Sequence, residues 1–292
     1  MFHYVFIDPE TIAKVAQDEA GLGRLIDVLR SMDRGCLMAE TDLWRLGREL
    51  KAKVKTIPME NGRSVVSELL IQLGKKGPRV VMDGDDEEIP LIDFGVANAE
   101  RDSIDLFLTP SEINPPKDAS WEVCSLISLH ASSFSIDRHN VGQGRAFKKG
   151  AATGDAIFCQ CFEKLIKHAC EIVIVDYALG EYYGNDHPIN LRRWVLWIDS
   201  RLKNPSETTL TIRTCGDSSN PAFRGLQRDV SGLQQEVDLT LKLDTGLTKE
   251  QLPHRRFLIA DGSCLDIDRG IDLCDAEGTC REVSITYANR PH

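Results

Sequence analysis

The sequence predicts an α/β protein of two domains, and three observations carry that expectation. Apolar residues recur at helical spacing over residues 155–170, through Ile157, Phe158, Cys161, Phe162, Leu165, Ile166 and Ala169, and again over 191–202, through Leu191, Trp194, Val195, Ile198 and Leu202. Short apolar runs at 171–175, 210–214 and 256–259 alternate with these helices and read as buried strands. Residues 109–118 carry Pro110, Pro115 and Pro116 among polar neighbours and read as a connection, which divides a domain of residues 1–118 from one of 119–292.

The elements follow in order. Residues 2–7 read as a strand closed by Asp8, residues 11–31 and 40–53 as helices, and residues 79–82 as a second strand closed by the acidic turn 83–88. The smaller first domain is therefore α/β as well. Acidic strand ends can hold Mg²⁺ as in PIN-like nucleases, with Asp8, Glu40, Asp83 and Asp105 as conceivable ligands; a regulatory, dimerising or target-recognition module is the other reading. Residues 121–133 read as a β-rich lead-in to the second domain and residues 142–154 as a flexible loop. From residue 155 the order is helix, strand, helix, strand, helix, strand, strand, an α/β/α layered pattern whose ligands bind at strand ends. Asp176 and Tyr177 stand at one such end.

Composition excludes several classes. With 35 Lys and Arg against 45 Asp and Glu, a formal charge of −10 argues against a protein that coats nucleic acid electrostatically. Local basic grooves remain available around Arg138, Arg145, Lys148 and Lys149, and around Arg192, Arg193 and Arg201. Nine scattered cysteines suit reduced thiols, and neither Cys159-x-Cys161 nor Cys274-x5-Cys280 has zinc-site spacing. No apolar run approaches the ~20 residues that span a bilayer, and the N-terminus lacks a signal peptide's basic start and apolar core, so the expected location is cytoplasmic.

The most informative segment is 254–261, which sets His254, Arg256 and Asp261 at the spacing H-x-R-x4-D. Period-2 geometry turns His254 and Arg256 toward one face. An imidazole can attack phosphorus, a guanidinium can grip two non-bridging oxygens, and a carboxylate can orient either. No metal or other cofactor is required.

Residues 254–273 resemble the phospholipase-D-like domain found at the C-terminus of MIT-domain proteins and in bacterial relatives. The matching elements are His254 and Arg256, Asp261 with Gly262, and Arg269-Gly270-Ile271-Asp272. The resemblance extends upstream through the strand ending at Asp176-Tyr177, the helix beginning Asn190-Leu191, and the strand 210–214, about the last 140 residues. Two departures stand out: Ser263 and Cys264 replace the family's tryptophan, and Arg256 replaces the wider superfamily's motif lysine. That superfamily uses two histidines, one as nucleophile and one as general acid, whereas only His254 has the spacing here. A homodimer would supply the second.

The resemblance implies a catalytic set of His254, Arg256 and Asp261, with Asp176, Tyr177, Asn190, Arg269 and Asp272 about the substrate. Three functions follow: a metal-independent phosphodiesterase, foremost a nuclease and a candidate antiphage effector; a non-catalytic binder of phosphate, phosphoinositide or nucleic acid; and a dimerising interaction protein. Candidate partners are a second copy of the chain, nucleic acid and other defence-system proteins.

Overall fold

A computed structural model describes residues 2–31, 35–76, 80–84, 86–110, 113–126, 128–136, 144–248 and 250–288. The chain is α/β throughout and divides into two compact units, residues 1–142 and 143–292.

The first unit is a five-stranded, all-parallel sheet of order β3-β2-β1-β4-β5. Its strands are β1 (His3–Ile7), β2 (Cys36–Thr41), β3 (Val80–Met82), β4 (Leu106–Leu108) and β5 (Glu122–Cys124). Helices connect them: α1 (Pro9–Val15) and α2 (Glu19–Ser31) after β1, α3 (Arg45–Val54) and α4 (Glu60–Lys76) after β2, and the short α5 (Leu91–Ala97) and α6 (Ala99–Asp102) after β3. Tyr4, Phe6, Ile7, Leu37 and Phe107 are fully buried, as a parallel sheet between helices requires.

Several expectations change here. Residues 36–41, partly assigned to a helix from the sequence, form β2, because Cys36, Leu37 and Met38 pair with His3, Tyr4 and Val5 of β1. The stretch after Trp121 is not a lead-in to the second unit: β5 pairs with β4, and Trp121 packs edge-on against Phe107 at 5.1 Å. The division therefore falls at 142/143 rather than at 118/119.

The second unit is a mixed seven-stranded sheet of order β6-β12-β11-β10-β7-β8-β9. It comprises β6 (Gly144–Phe147), β7 (Glu171–Val175), β8 (Thr209–Arg213), β9 (Thr240–Asp244), β10 (Phe257–Ala260), β11 (Ser263–Ile267) and β12 (Val283–Ala288). β7, β8 and β9 run parallel, and β10 meets β7 antiparallel. The loop expected at 142–154 contributes β6, an edge strand paired with β12. The helix expected over 155–170 is two pieces, Gly154–Cys161 and Glu163–Ile166, separated at Phe162, whose ring lies 5.0 Å from that of Trp194. Trp194 sits on the helix His187–Arg201 and also meets Phe158 at 4.6 Å.

One face of the sheet carries Val173, Val175, Phe257, Ile259 and Cys264, capped by Leu252, Cys215 and Tyr177. Leu252 in this cluster anchors the loop that carries His254 ahead of β10. No helix among the described residues is long and apolar enough to cross a membrane.

Candidate functional site

Strand register assembles the site. Phe257 at the start of β10 pairs with Val175 at the end of β7, so the residue before one strand meets the residues after the other. Arg256 thereby faces Asp176: its Nε donates to Asp176 Oδ1 at 3.2 Å, and its Nη1 donates to the Asp268 carbonyl at 2.6 Å. The Arg256 guanidinium carbon lies 5.6 Å from the centroid of the Tyr177 ring, and the His254 ring meets the same tyrosine edge-on at 5.4 Å. His254 and Arg256 thus share one aromatic neighbour, although His254 lies in the loop before β10 and not on the strand itself. His254 is exposed, and its ring nitrogens have no hydrogen-bond partner among the described residues.

The glycine of the Arg269-Gly270 element backs this pair. Gly270 has φ +59°, and a Cβ there would lie 2.2 Å from Asp176 Oδ2 and 2.3 Å from Arg256 Cδ. Only glycine permits the approach. Arg269 itself is exposed and donates from Nε to the Glu282 carbonyl at 3.2 Å.

Asp176 is 3 % exposed. Burial raises its pKa above the ordinary carboxylate value, while Arg256, the Ala178 N–H and His187 pull the other way. The Ala178 N–H donates to Asp176 Oδ1 at 3.0 Å. A buried carboxylate with a guanidinium and a backbone donor holds that guanidinium in one orientation. The Tyr177 carbonyl in turn accepts from Cys215 Sγ at 3.2 Å, which fixes the residue between the two strand ends.

Asp261 does not join this site. It follows the four-residue strand β10 that Arg256 precedes, so the two stand at opposite ends of that strand. Its carboxylate accepts the N–H groups of Cys170 at 3.2 Å and Glu171 at 2.7 Å, and its φ is +41°. It ties the β10–β11 hairpin to the start of β7. Asn190 and Asp272 belong to a separate network. Asn190 is 1 % exposed and donates from Nδ2 to Asp272 Oδ1 at 3.1 Å and to the Cys274 carbonyl at 2.9 Å. Arg281 pairs with both Asp272 at 3.5 Å and Asp186 at 2.5 Å. Sequence reasoning missed Arg281 and Asp186, and it missed His187, whose charge is felt by Asp176; the Asp186-His187-Pro188 start of the long helix was the available signal.

Four of the basic candidates are engaged elsewhere: Arg192 with Glu236 at 2.5 Å, Arg201 with Glu163 at 3.8 Å, Arg193 with the Asp275 and Ala276 carbonyls, and Arg145, on edge strand β6, with Gln160 at 3.3 Å; Lys148 and Lys149 are exposed. Arg138 lies outside the described residues.

The acidic candidates of the first unit do not converge. Asp8 caps α1 through Glu10 N–H at 2.9 Å and accepts from the Thr109 hydroxyl at 2.9 Å. Glu40 accepts the N–H groups of Thr41, Leu46 and Gly47 at 2.7–2.9 Å, capping α3. Asp105 accepts Tyr4 N–H at 2.7 Å before β4 begins, whereas Asp8 follows the parallel β1, so the two stand at opposite ends of the strands. Among the described residues no group of three or more His, Cys, Asp or Glu side chains could hold a metal ion. Compared with known proteins, the sequence matches no family model and no curated protein.

Proposed function

We propose that the second unit is a metal-independent phosphodiesterase of phospholipase-D-like type, foremost a nuclease, acting in the cytoplasm as a homodimer. The observation that carries this reading is the meeting of His254 and Arg256 on Tyr177, with Arg256 oriented by buried Asp176. A His254 ring nitrogen attacks phosphorus, the bond to the leaving oxygen breaks, and a phosphohistidine forms; water then releases the phosphate monoester. Arg256 bears the charge of the non-bridging oxygens, and Asp176 takes the orienting role that the sequence assigned to Asp261. The leaving oxygen takes its proton from His254 of a second copy. Antiphage defence is the setting in which a nuclease held in such a dimer would act.

The experiment is incubation of the full chain with ³²P-labelled single- and double-stranded DNA and RNA, with and without EDTA, beside His254→Ala. Cleavage that survives EDTA, disappears in the variant and leaves acid-labile, base-stable label on the protein is the expected result. Cleavage that EDTA abolishes and the variant retains would refute it.

One observation favours the binding module as the second reading. Arg256 Nε and Nη1 are both held by protein groups, which leaves Nη2 without a partner among the described residues and suits a fixed phosphate contact without turnover. Phosphate-dependent protection without cleavage would select it.

A further inference from the structure

The first unit contains a cavity of about 410 Å³ that no function described above employs. Its walls come from four segments: α1, α2 and the stretches that follow β4 and β5 at the carboxyl ends of the parallel strands. Thr11, Lys14 and Val15 belong to α1, which follows β1; Gly21 and Arg24 belong to α2; Pro110 follows β4, and Leu126 follows β5. In the order β3-β2-β1-β4-β5 the chain leaves β1 toward β2 and leaves β4 toward β5, so the connections diverge between β1 and β4. Open parallel sheets form their ligand crevices at such a divergence, outside the carboxyl ends of the strands. The cavity lies at that place, and its volume is that of a small-molecule site.

The lining has a definite chemistry. Lys14 and Arg24 bring two cations, and neither has an ion pair or hydrogen bond to a carboxylate among the described residues. The one acid in the wall, Asp18, accepts Gly21 N–H at 2.6 Å through Oδ1 and so serves the start of α2. Val15, Ala20, Pro110 and Leu126 supply an apolar surface beside these charges. Gly21 lets α2 close against the end of α1: a Cβ there would lie 2.4 Å from the Val15 carbonyl and 2.7 Å from Val15 Cγ1. In a chain of net charge −10, two cations without an ion pair among the described residues, set beside an apolar wall, are the complement of an anion with an apolar body.

We propose that this cavity binds a small organic phosphate ester, its phosphate between Lys14 and Arg24 and its body against Val15, Pro110 and Leu126. A nucleotide and a sugar phosphate share that chemistry. The site stands on residues of the first unit alone and is independent of the reading of His254.

The test uses the fluorescent aromatic anion 8-anilinonaphthalene-1-sulfonate with the full chain, followed by displacement with AMP, glucose 6-phosphate, adenosine and inorganic phosphate. The expected result is saturable binding of one probe per chain, weakened about tenfold or more in both Arg24→Glu and Lys14→Glu, as loss of a charged contact and its reversal require. Lys51→Glu on α3 makes the same charge change away from the cavity and binds as the parent does. Because Arg24 is half-buried, circular dichroism checks its variant's fold, and exposed Lys14 carries the test if that fold is lost. AMP or glucose 6-phosphate displaces the probe at concentrations where adenosine and inorganic phosphate do not, and the stronger of the two esters identifies the source. Equal probe binding by parent and Lys14→Glu, or a probe that neither ester displaces, overturns the proposal.

Discussion

Gly270 and Asp176, ninety-four positions apart in the chain, are in such close approach that a single added methyl at Gly270 would fall 2.2 Å from the Asp176 carboxylate. The same methyl would fall 2.3 Å from Arg256 Cδ, so the glycine controls whether the ion pair can form. Gly270→Ala is expected to destabilise the fold by about 1–3 kcal/mol, since it adds both overlap and a left-handed strain at φ +59°. It should also displace Arg256 and weaken any phosphate ligand of the site. Urea unfolding together with a phosphate-ligand titration checks both; a variant of parental stability and parental affinity contradicts the packing described.

Asp261 and His254 separate stability from function. Asp261 accepts two backbone N–H groups at the far end of β10, while His254 has no hydrogen-bond partner among the described residues. Asp261→Ala leaves the Cys170 and Glu171 donors without their acceptor and is expected to cost about 1–3 kcal/mol, with the behaviour of the folded fraction at the His254 site unchanged. His254→Ala should do the reverse, altering phosphate chemistry with little change in the melting midpoint. Equal loss of function per folded molecule in both variants would restore Asp261 to the site.

Much of the second unit was legible because its strands are dense in β-branched residues: Ile172-Val173-Ile174-Val175 admits few other readings. That density also placed Asp176 and Tyr177 at a strand end. Asp261 was misplaced for a geometric reason, since the spacing H-x-R-x4-D does not state how many of its residues are extended. Four residues of strand at ~3.3 Å each carry Asp261 a full strand length away from Arg256. β2 was hidden because Ala39 and Glu40 favour helix locally, and tertiary pairing with β1 overrides that preference. β5 was assigned to the wrong unit because a three-residue edge strand has no periodicity that names its partner. Glu40 and Asp105 were legible as acids, whereas their backbone partners arise only from the folded turns.

The three N–H groups held by Glu40 make it a structural carboxylate. Glu40→Ala exposes the first turn of α3 to unsatisfied donors, and because Glu40 is 2 % exposed the expected cost is about 1–3 kcal/mol. Millimolar MgCl₂ should shift the unfolding midpoint of parent and variant equally. A Mg²⁺-dependent stabilisation of the parent that Glu40→Ala abolishes would instead make this carboxylate a ligand.

Asp176 predicts a pH dependence of opposite sign to that of an ordinary paired carboxylate. Burial is the largest influence on it and raises its pKa, although Arg256 opposes the shift. The folded chain therefore takes up this proton at a higher pH than the unfolded chain does. Stability from this group is present below the unfolded pKa and is lost as the pH rises through the folded one. Asp176→Asn has nearly the same shape and cannot titrate, so the parent should gain stability relative to the variant as the pH falls from 7 toward 4. Urea titrations of both proteins across that range measure the gap. If the parent loses ground toward acid, ion pairing to Arg256 outweighs burial and Asp176 is a depressed carboxylate. In either case the acid limb of phosphate binding should follow the Asp176 titration, because protonation releases the guanidinium that the carboxylate orients.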